Sequence, residues 1–181
     1  MIVRDAFETS PLSFGIDVDP ARLVLQRDAQ RFVASVLAKF QPDWAVLAPH
    51  VKFSPYQYTR NRLFLQDERL EMLLLCWLPG QRTAVHDHGM SWGVSVPLVG
   101  WLSETSYLHR GVGQPLERAQ SRMLTPGNVG VETQDTIHQV ENQSATPVIS
   151  LHVYAPPLVR YSAYDTRTGS ATVVTPPTPG L

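Results

Sequence analysis

The stretch that decides the fold is Gly80-Gln81-Arg82-Thr83-Ala84-Val85-His86-Asp87-His88, followed by Trp92-Gly93-Val94-Ser95-Val96-Pro97-Leu98-Val99-Gly100. Two short runs rich in β-branched residues are bounded by glycines, the composition of strands joined by tight turns. Glycine there allows positive φ or close backbone approach. If residues 83–88 form a strand, alternate side chains share a face. His86 and His88 then point together, with Cβ atoms roughly 7 Å apart, and Asp87 points away as a strand-edge or supporting group. Two imidazoles at that spacing can grip one metal ion. Surface histidines are the simpler reading of an isolated His-x-His pair.

Outward from this stretch, short runs rich in Leu, Val, Trp and Tyr alternate with Pro, Gly, Asn and Asp turns. Strands are expected at 62–66, 69–78, 83–88, 92–98, 101–108, 121–125, 128–132, 137–141 and 147–154. Many short strands at regular spacing indicate an antiparallel sandwich or barrel. Upstream, Asp19-Pro20 reads as an N-cap and first helical position. Leu25, Ala29, Phe32, Val33, Val36, Leu37 and Phe40 then recur at helical spacing, predicting one amphipathic helix over about 20–40. The expected organisation is a single domain over 1–181: a helical lead-in to about 57, a barrel over about 58–170, and a mobile tail over about 171–181. That tail, with its PPTPG run, has little apolar content to pack.

Composition narrows the function. The chain has 181 residues, 43% of them hydrophobic, and a formal net charge of -1, which points to neither nucleic acid nor an anionic membrane. No apolar run approaches the roughly 20 residues of a membrane span. The start lacks a signal-peptide core, so a cytoplasmic location is expected. The lone cysteine, Cys76, rules out an intramolecular disulfide and cysteine-based zinc sites. It is expected in the core of an apolar strand. His50 and His109 sit in turn-like contexts and are expected to be solvated.

The pattern Gly80-x5-His86-x-His88-x4-Gly93-x6-Gly100, with a later His138-x3-Asn142, resembles the two motifs of the cupin superfamily. The resemblance implies an all-β cupin barrel (jelly-roll) with a small N-terminal helical section. One departure matters: the usual cupin glutamate falls at Gly93, which offers no ligand. Three neutral imidazoles, His86, His88 and His138, remain. They leave the charge of a divalent ion unneutralised and so favour an anionic ligand such as a thiolate. Three-histidine zinc with a bound hydroxide competes on ligand count alone.

On a strand, Ser150, His152 and Tyr154 share one face and Ile149, Leu151 and Val153 the other. Alternation alone allows either face to be the inner one. A more specific resemblance decides it. Tyr58-Thr59-Arg60-Asn61, Leu75-Cys76-Trp77, His86-Asp87-His88, the run His138 to Asn142, the run Ser150 to Pro157 and the run Asp165 to Gly169 occur in order. Together they look like the cysteine dioxygenases and related thiol dioxygenases. The likeness implies Fe(II) on His86, His88 and His138, with Ser150, His152 and Tyr154 turned inward as a catalytic relay. It implies Arg60 pairing with a substrate carboxylate, with Tyr58 and Trp77 lining the pocket. It implies small-thiol and O2 substrates and conversion of L-cysteine to cysteine sulfinic acid. The alternatives are another thiol carboxylate, 3-mercaptopropionate or mercaptosuccinate, or a non-catalytic or zinc-binding cupin. Cysteamine, without a carboxylate for Arg60, fits worst. Gly93 cannot supply the thioether that mammalian relatives form with the tyrosine matching Tyr154. The likeness also implies a cis Ala155–Pro156 bond.

Overall fold

A computed structural model describes residues 26–38, 41–66 and 68–179. Helix α1 (Gln26–Leu37) is followed by a single turn, α2 (Trp44–Leu47), and a 3-10 turn (Ala48–His50). Ten strands follow: β1 (Thr59–Gln66), β2 (Leu70–Trp77), β3 (Trp92–Val99), β4 (Leu102–Leu108), β5 (Glu117–Leu124), β6 (Gly130–Glu132), β7 (Ile137–Glu141), β8 (Val148–Ala155), β9 (Tyr161–Tyr164) and β10 (Ala171–Val174). One sheet runs β1-β2-β8-β3-β6, a second runs β5-β4-β7, and β9 and β10 form a hairpin. All strand pairs are antiparallel. The fold is a cupin barrel with a small helical section before it. The Asp19-Pro20 helix start, Leu25 and Phe40 lie outside the described residues.

Strand β2 reads LEMLLLCW without alternation because both of its faces are buried. Met72, Leu74 and Cys76 join Ile149, Leu151 and Val153 of β8 in a layer covered by Val33 and Leu37 of α1. Leu73, Leu75 and Trp77 face the barrel interior with Val148 and Tyr154. Burying one such leucine contributes about 1.5–3 kcal/mol. Helix α1 is also tied down by a polar group. The buried Gln30 amide donates to the backbone oxygens of Gly93, at 3.1 Å, and Glu132, at 2.8 Å.

Strand β8 is central, and its register places the site. His152 lies opposite Leu73 on one side and Ser95 on the other; Tyr154 lies opposite Glu71 and Gly93. The Ala155–Pro156 bond that ends the strand is cis, as the resemblance implied. The turn glycines Gly80 and Gly100 have φ of 78° and 75°. At Gly100 a Cβ would also come within 2.8 Å of Val148 Cγ2.

Three expectations change. Residues 83–88 do not form a regular strand; His86 makes isolated bridges to His138 on one side and Ala163 on the other. The Asp87 carboxylate accepts from the backbone N–H of Gly89 (3.0 Å) and Ser162 (2.8 Å), taking donors that a continuing ladder would use. The hairpin of β9 and β10 was not expected at all. Its turn is built by Asp165, whose Oδ1 accepts from the N–H of Arg167 and Thr168, and by Gly169 at φ 63°. The mobile tail is the third correction. Residues 171–174 pair with β9, and Pro176 and Pro177 lie at the mouth of the site. Backbone pairing and one bond from Arg60 anchor this segment, so its low apolar content does not set it free.

Candidate metal centre and adjoining cavity

The three histidines predicted as ligands converge. His86 and His88 come from the bridged segment before β3, and His138 from β7. One ring nitrogen of each lies within 4.8 Å of the others, and all three side chains are buried. His86 is pulled towards His138 by paired backbone bonds of 2.9 Å in both directions. Burial, reinforced by His138, pushes the His86 imidazole down to about 3. Burial and then the neighbouring His138 and His86 push His88 well below its ordinary value. Both are therefore neutral at pH 7, the form that binds metal. His86 Nδ1–H donates to the Ala84 carbonyl at 3.0 Å, leaving Nε2 with a lone pair. His138 Nδ1 sits 2.7 Å from Glu104 Oε1. Burial raises the Glu104 carboxyl, but hydrogen bonds from His138 and Arg122 win and hold it down to about 2. His88 Nδ1 is buried with no hydrogen-bond partner. Three convergent imidazoles, one of them with an unsatisfied nitrogen, fit a divalent ion.

A small cavity of about 40 Å³ opens beside these nitrogens. Ser150, His152 and Tyr154 turn inward, so the aliphatic face of β8 is the outer one. Trp77 Nε1 donates to Ser150 Oγ at 2.9 Å, Ser150 Oγ meets His152 Nε2 at 2.8 Å, and His152 Nδ1 meets Tyr154 Oη at 3.2 Å. Trp77 can only donate, which gives the chain a direction. With Ser150 donating to Nε2, the neutral imidazole donates from Nδ1 to Tyr154. The tyrosine proton is then free for the cavity. Burial and the adjacent Arg60 charge push His152 down to about 3, and burial pushes Tyr154 up, so both keep these protonation states near neutrality.

Arg60 also lines the cavity, its side chain only 9% exposed. Nη2 lies 3.7 Å from Glu71 Oε2 and makes no hydrogen bond. Glu71 is held more tightly by Arg62, at 2.9 Å. Tyr58 stacks on Trp77 with ring centroids 4.3 Å apart, and burial raises its hydroxyl to about 12. Eight of the nine residues singled out for the site thus line one cavity, and Ser150 sits behind them, bonded to Trp77 and His152.

Residues 22–167 match the family model described as "Cysteine dioxygenase type I". The chain belongs to the cysteine dioxygenase family. It is 31% identical to "Cysteine dioxygenase type 1" of Rattus norvegicus over 146 residues, 79% of this chain and 73% of the relative. It is 32% identical to the Homo sapiens protein over the same shares. Among solved structures, a Thermus thermophilus protein aligns at 30% identity and TM-score 0.48, over 61% of this chain and 93% of that one. A Klebsiella pneumoniae protein with a double-stranded β-helix domain aligns at 19% identity and TM-score 0.49, over 73% and 89%.

In this cysteine dioxygenase family member, sequence reasoning missed several groups. Glu104 orients His138 and is recognisable only once β4 and β7 pair. Glu132 is buried in the cavity wall. It lies opposite Gly93 in register, and its Oε2 would be 3.0 Å from a Cβ at that position. The space left by the glycine is thus occupied from the neighbouring strand. Burial raises the Glu132 carboxyl, and Ser95 donates to Oε1 at 3.1 Å. Asp87 does not face the cavity; Tyr164 donates to its Oδ2 at 2.9 Å, and the carboxylate ties the histidine segment to β9. Cys76 is fully buried in the outer layer. His109, though at the surface, has its Nε2 2.9 Å from the Gly169 carbonyl oxygen. No helix among the described residues is long and apolar enough to cross a membrane.

Proposed function

We propose that this chain oxidises L-cysteine with O2 to cysteine sulfinic acid, both oxygen atoms entering the product, with Fe(II) held by His86, His88 and His138. The supporting observation is Arg60. A guanidinium nitrogen, buried and without a hydrogen bond, belongs to a side chain that lines the same small cavity as three convergent imidazoles. Among the described residues lining that cavity, Arg60 is the one arginine or lysine, which suits a monocarboxylate better than the dicarboxylate mercaptosuccinate. When bound, Fe(II) supplies the redox chemistry that joins O2 to a thiol sulfur.

The protein positions and discharges the groups around that centre. Arg60 binds the carboxylate through parallel N–H bonds and so fixes the thiol end towards the histidines. Tyr58 and Trp77 form an apolar wall that leaves little room for water. Tyr154 holds a proton at Oη, oriented by His152, Ser150 and Trp77, and donates it to an oxygen atom in the cavity. Ser150 acts through His152 as a positioning residue.

O2 consumption by Fe(II)-loaded protein over a panel of thiols tests the proposal. Cysteine is expected to be consumed with one O2 per sulfinate formed, ahead of 3-mercaptopropionate, with cysteamine last. A preference for cysteamine would remove Arg60 from substrate binding. His86→Ala, His88→Ala and His138→Ala are each expected to lose most bound iron after anaerobic loading. Near-stoichiometric iron in any one of them would remove that residue from the centre.

A further inference from the structure

Two cavities meet at Arg60. The inner one, about 40 Å³, adjoins the histidines. The outer one, about 690 Å³, lies between the β1–β2 hairpin, residues 156–160 and the segment 175–179. Arg60, Leu158, Pro176 and Pro177 line both and form the wall between them. Two of these four come from the segment after β10. Prolines at 176, 177 and 179 fix φ and remove backbone donors, so the segment is a stiff strap rather than a pliable coil. Hydrogen bonding to Arg60 is left to its carbonyls, and Arg60 Nη1 donates to the Pro177 oxygen at 3.3 Å. The preceding hairpin, paired from Ala171↔Tyr164 to Val174↔Tyr161, delivers the strap to this place.

We propose that residues 175–179 are a size filter that determines which thiols reach the centre. Pro176 and Pro177 admit a thiol monocarboxylate of about cysteine size and exclude a thiol carrying a further residue-sized group. This rests on the thiol-oxidising function proposed above and adds the element that sets its substrate range. A space of about 690 Å³ would accept a much larger molecule than the inner space of about 40 Å³; the strap separates the two. The bond to Arg60 also makes the filter responsive. A neutral carbonyl at 3.3 Å is a weak acceptor beside a carboxylate at about 2.7–2.9 Å in two parallel bonds. An arriving carboxylate therefore replaces Pro177 at Arg60, and the strap shifts as substrate enters.

The test uses the chain ended after Val174 and, separately, the double substitution Pro176→Gly/Pro177→Gly in the full-length protein. Two readouts are taken. The first is the rate at which a compact and a bulky chelator strip Co(II) from the loaded protein, which needs no turnover. The second is kcat/KM for cysteine against γ-glutamylcysteine in the Fe(II)-loaded enzyme. In both variants the bulky-to-compact stripping ratio is expected to rise about tenfold, and the relative kcat/KM of the larger thiol by a similar factor. Ratios unchanged from the unmodified protein overturn the filter. Unfolding of both variants, seen by circular dichroism, also overturns it, because a filter is separable from the fold. If no form oxidises any thiol but the stripping ratio rises, the filter stands and the thiol-oxidising function falls.

Discussion

Arg60 brings a permanent charge to the cavity wall with one guanidinium nitrogen unsatisfied, which costs about 1–3 kcal/mol until an acceptor arrives. Replacing it by glutamine does not strand Glu71, since Arg62 holds that carboxylate at 2.9 Å. Arg60→Gln is therefore expected to fold normally and lose about 2–4 kcal/mol of transition-state stabilisation for cysteine, with a smaller loss for 3-mercaptopropionate. Steady-state kcat/KM on the two thiols checks this; equal activity of the variant and the unmodified enzyme on cysteine places Arg60 outside the binding step. Glu132 makes the opposite kind of prediction, on stability. Its carboxyl is raised by burial, so above an ordinary value of 4.5 the unfolded chain ionises while the folded one keeps its proton. The stability this group contributes is present below 4.5 and is lost as pH rises through the folded value. In metal-free protein, Glu132→Gln is expected to raise the melting temperature more at pH 8 than at pH 5. A variant that loses more at pH 8 would mean that Glu132 is ionised and paired. Both residues were hard to read in the chain. Arg60 looks like a surface arginine beside Asn61 and Arg62, and Glu132 carries no motif.

The segment carrying His86 and His88 belongs to no regular strand, yet it is held as firmly as one. Asp87 accepts from Gly89 N–H, Ser162 N–H and the Tyr164 hydroxyl, so one side chain pins the loop to β9 from the side away from the metal nitrogens. Burial raises this carboxyl, but the hydrogen bonds from Ser162 and Gly89 prevail and lower it, which keeps it an acceptor. Asp87→Ala is expected to weaken metal binding by about 10–100-fold, as loss of an orienting partner does. The accompanying stability loss is about 1–3 kcal/mol. Competition with a chelator of known affinity and denaturant unfolding measure the two. Unchanged affinity would mean that the bridges to His138 and Ala163 hold the loop alone. The two-residue period of His86 and His88 was legible without a structure. The absence of a strand was not, because it depends on Asp87 capturing donors from β9, an element with only four residues and a weak pattern of its own.

Across the whole molecule, buried neutral imidazoles dominate the response to pH. His86 and His152 are held down to about 3 against an ordinary value of 6.5, and His88 shifts the same way. A lowered histidine contributes no penalty above 6.5. As pH falls below that value the unfolded chain takes up protons that the folded one refuses. Each such imidazole then costs the fold progressively more stability as pH falls. Glu104, held down to about 2, adds its own loss only below 4.5. Metal-free protein is expected to have a melting temperature that is flat from pH 8 to 7 and falls steeply from pH 6.5 to 5. Identical values at pH 7 and pH 5 would show that these imidazoles are not buried and neutral. Local stretches of the chain were enough to read His86 and His88 two residues apart, Gly80 and Gly100 at turns, and the alternation of Ser150, His152 and Tyr154 against Ile149, Leu151 and Val153. Periodicity records which side chains share a face, and a strand needs only near neighbours to do so. Tertiary structure alone decided which face of β8 is inner, that Glu104 orients His138 from 34 residues away, and that Arg60 meets the Pro177 carbonyl across 117 residues. Those contacts depend on strand register and on the path of a hairpin. Register is set by packing over the whole barrel, and no short stretch of the chain contains it.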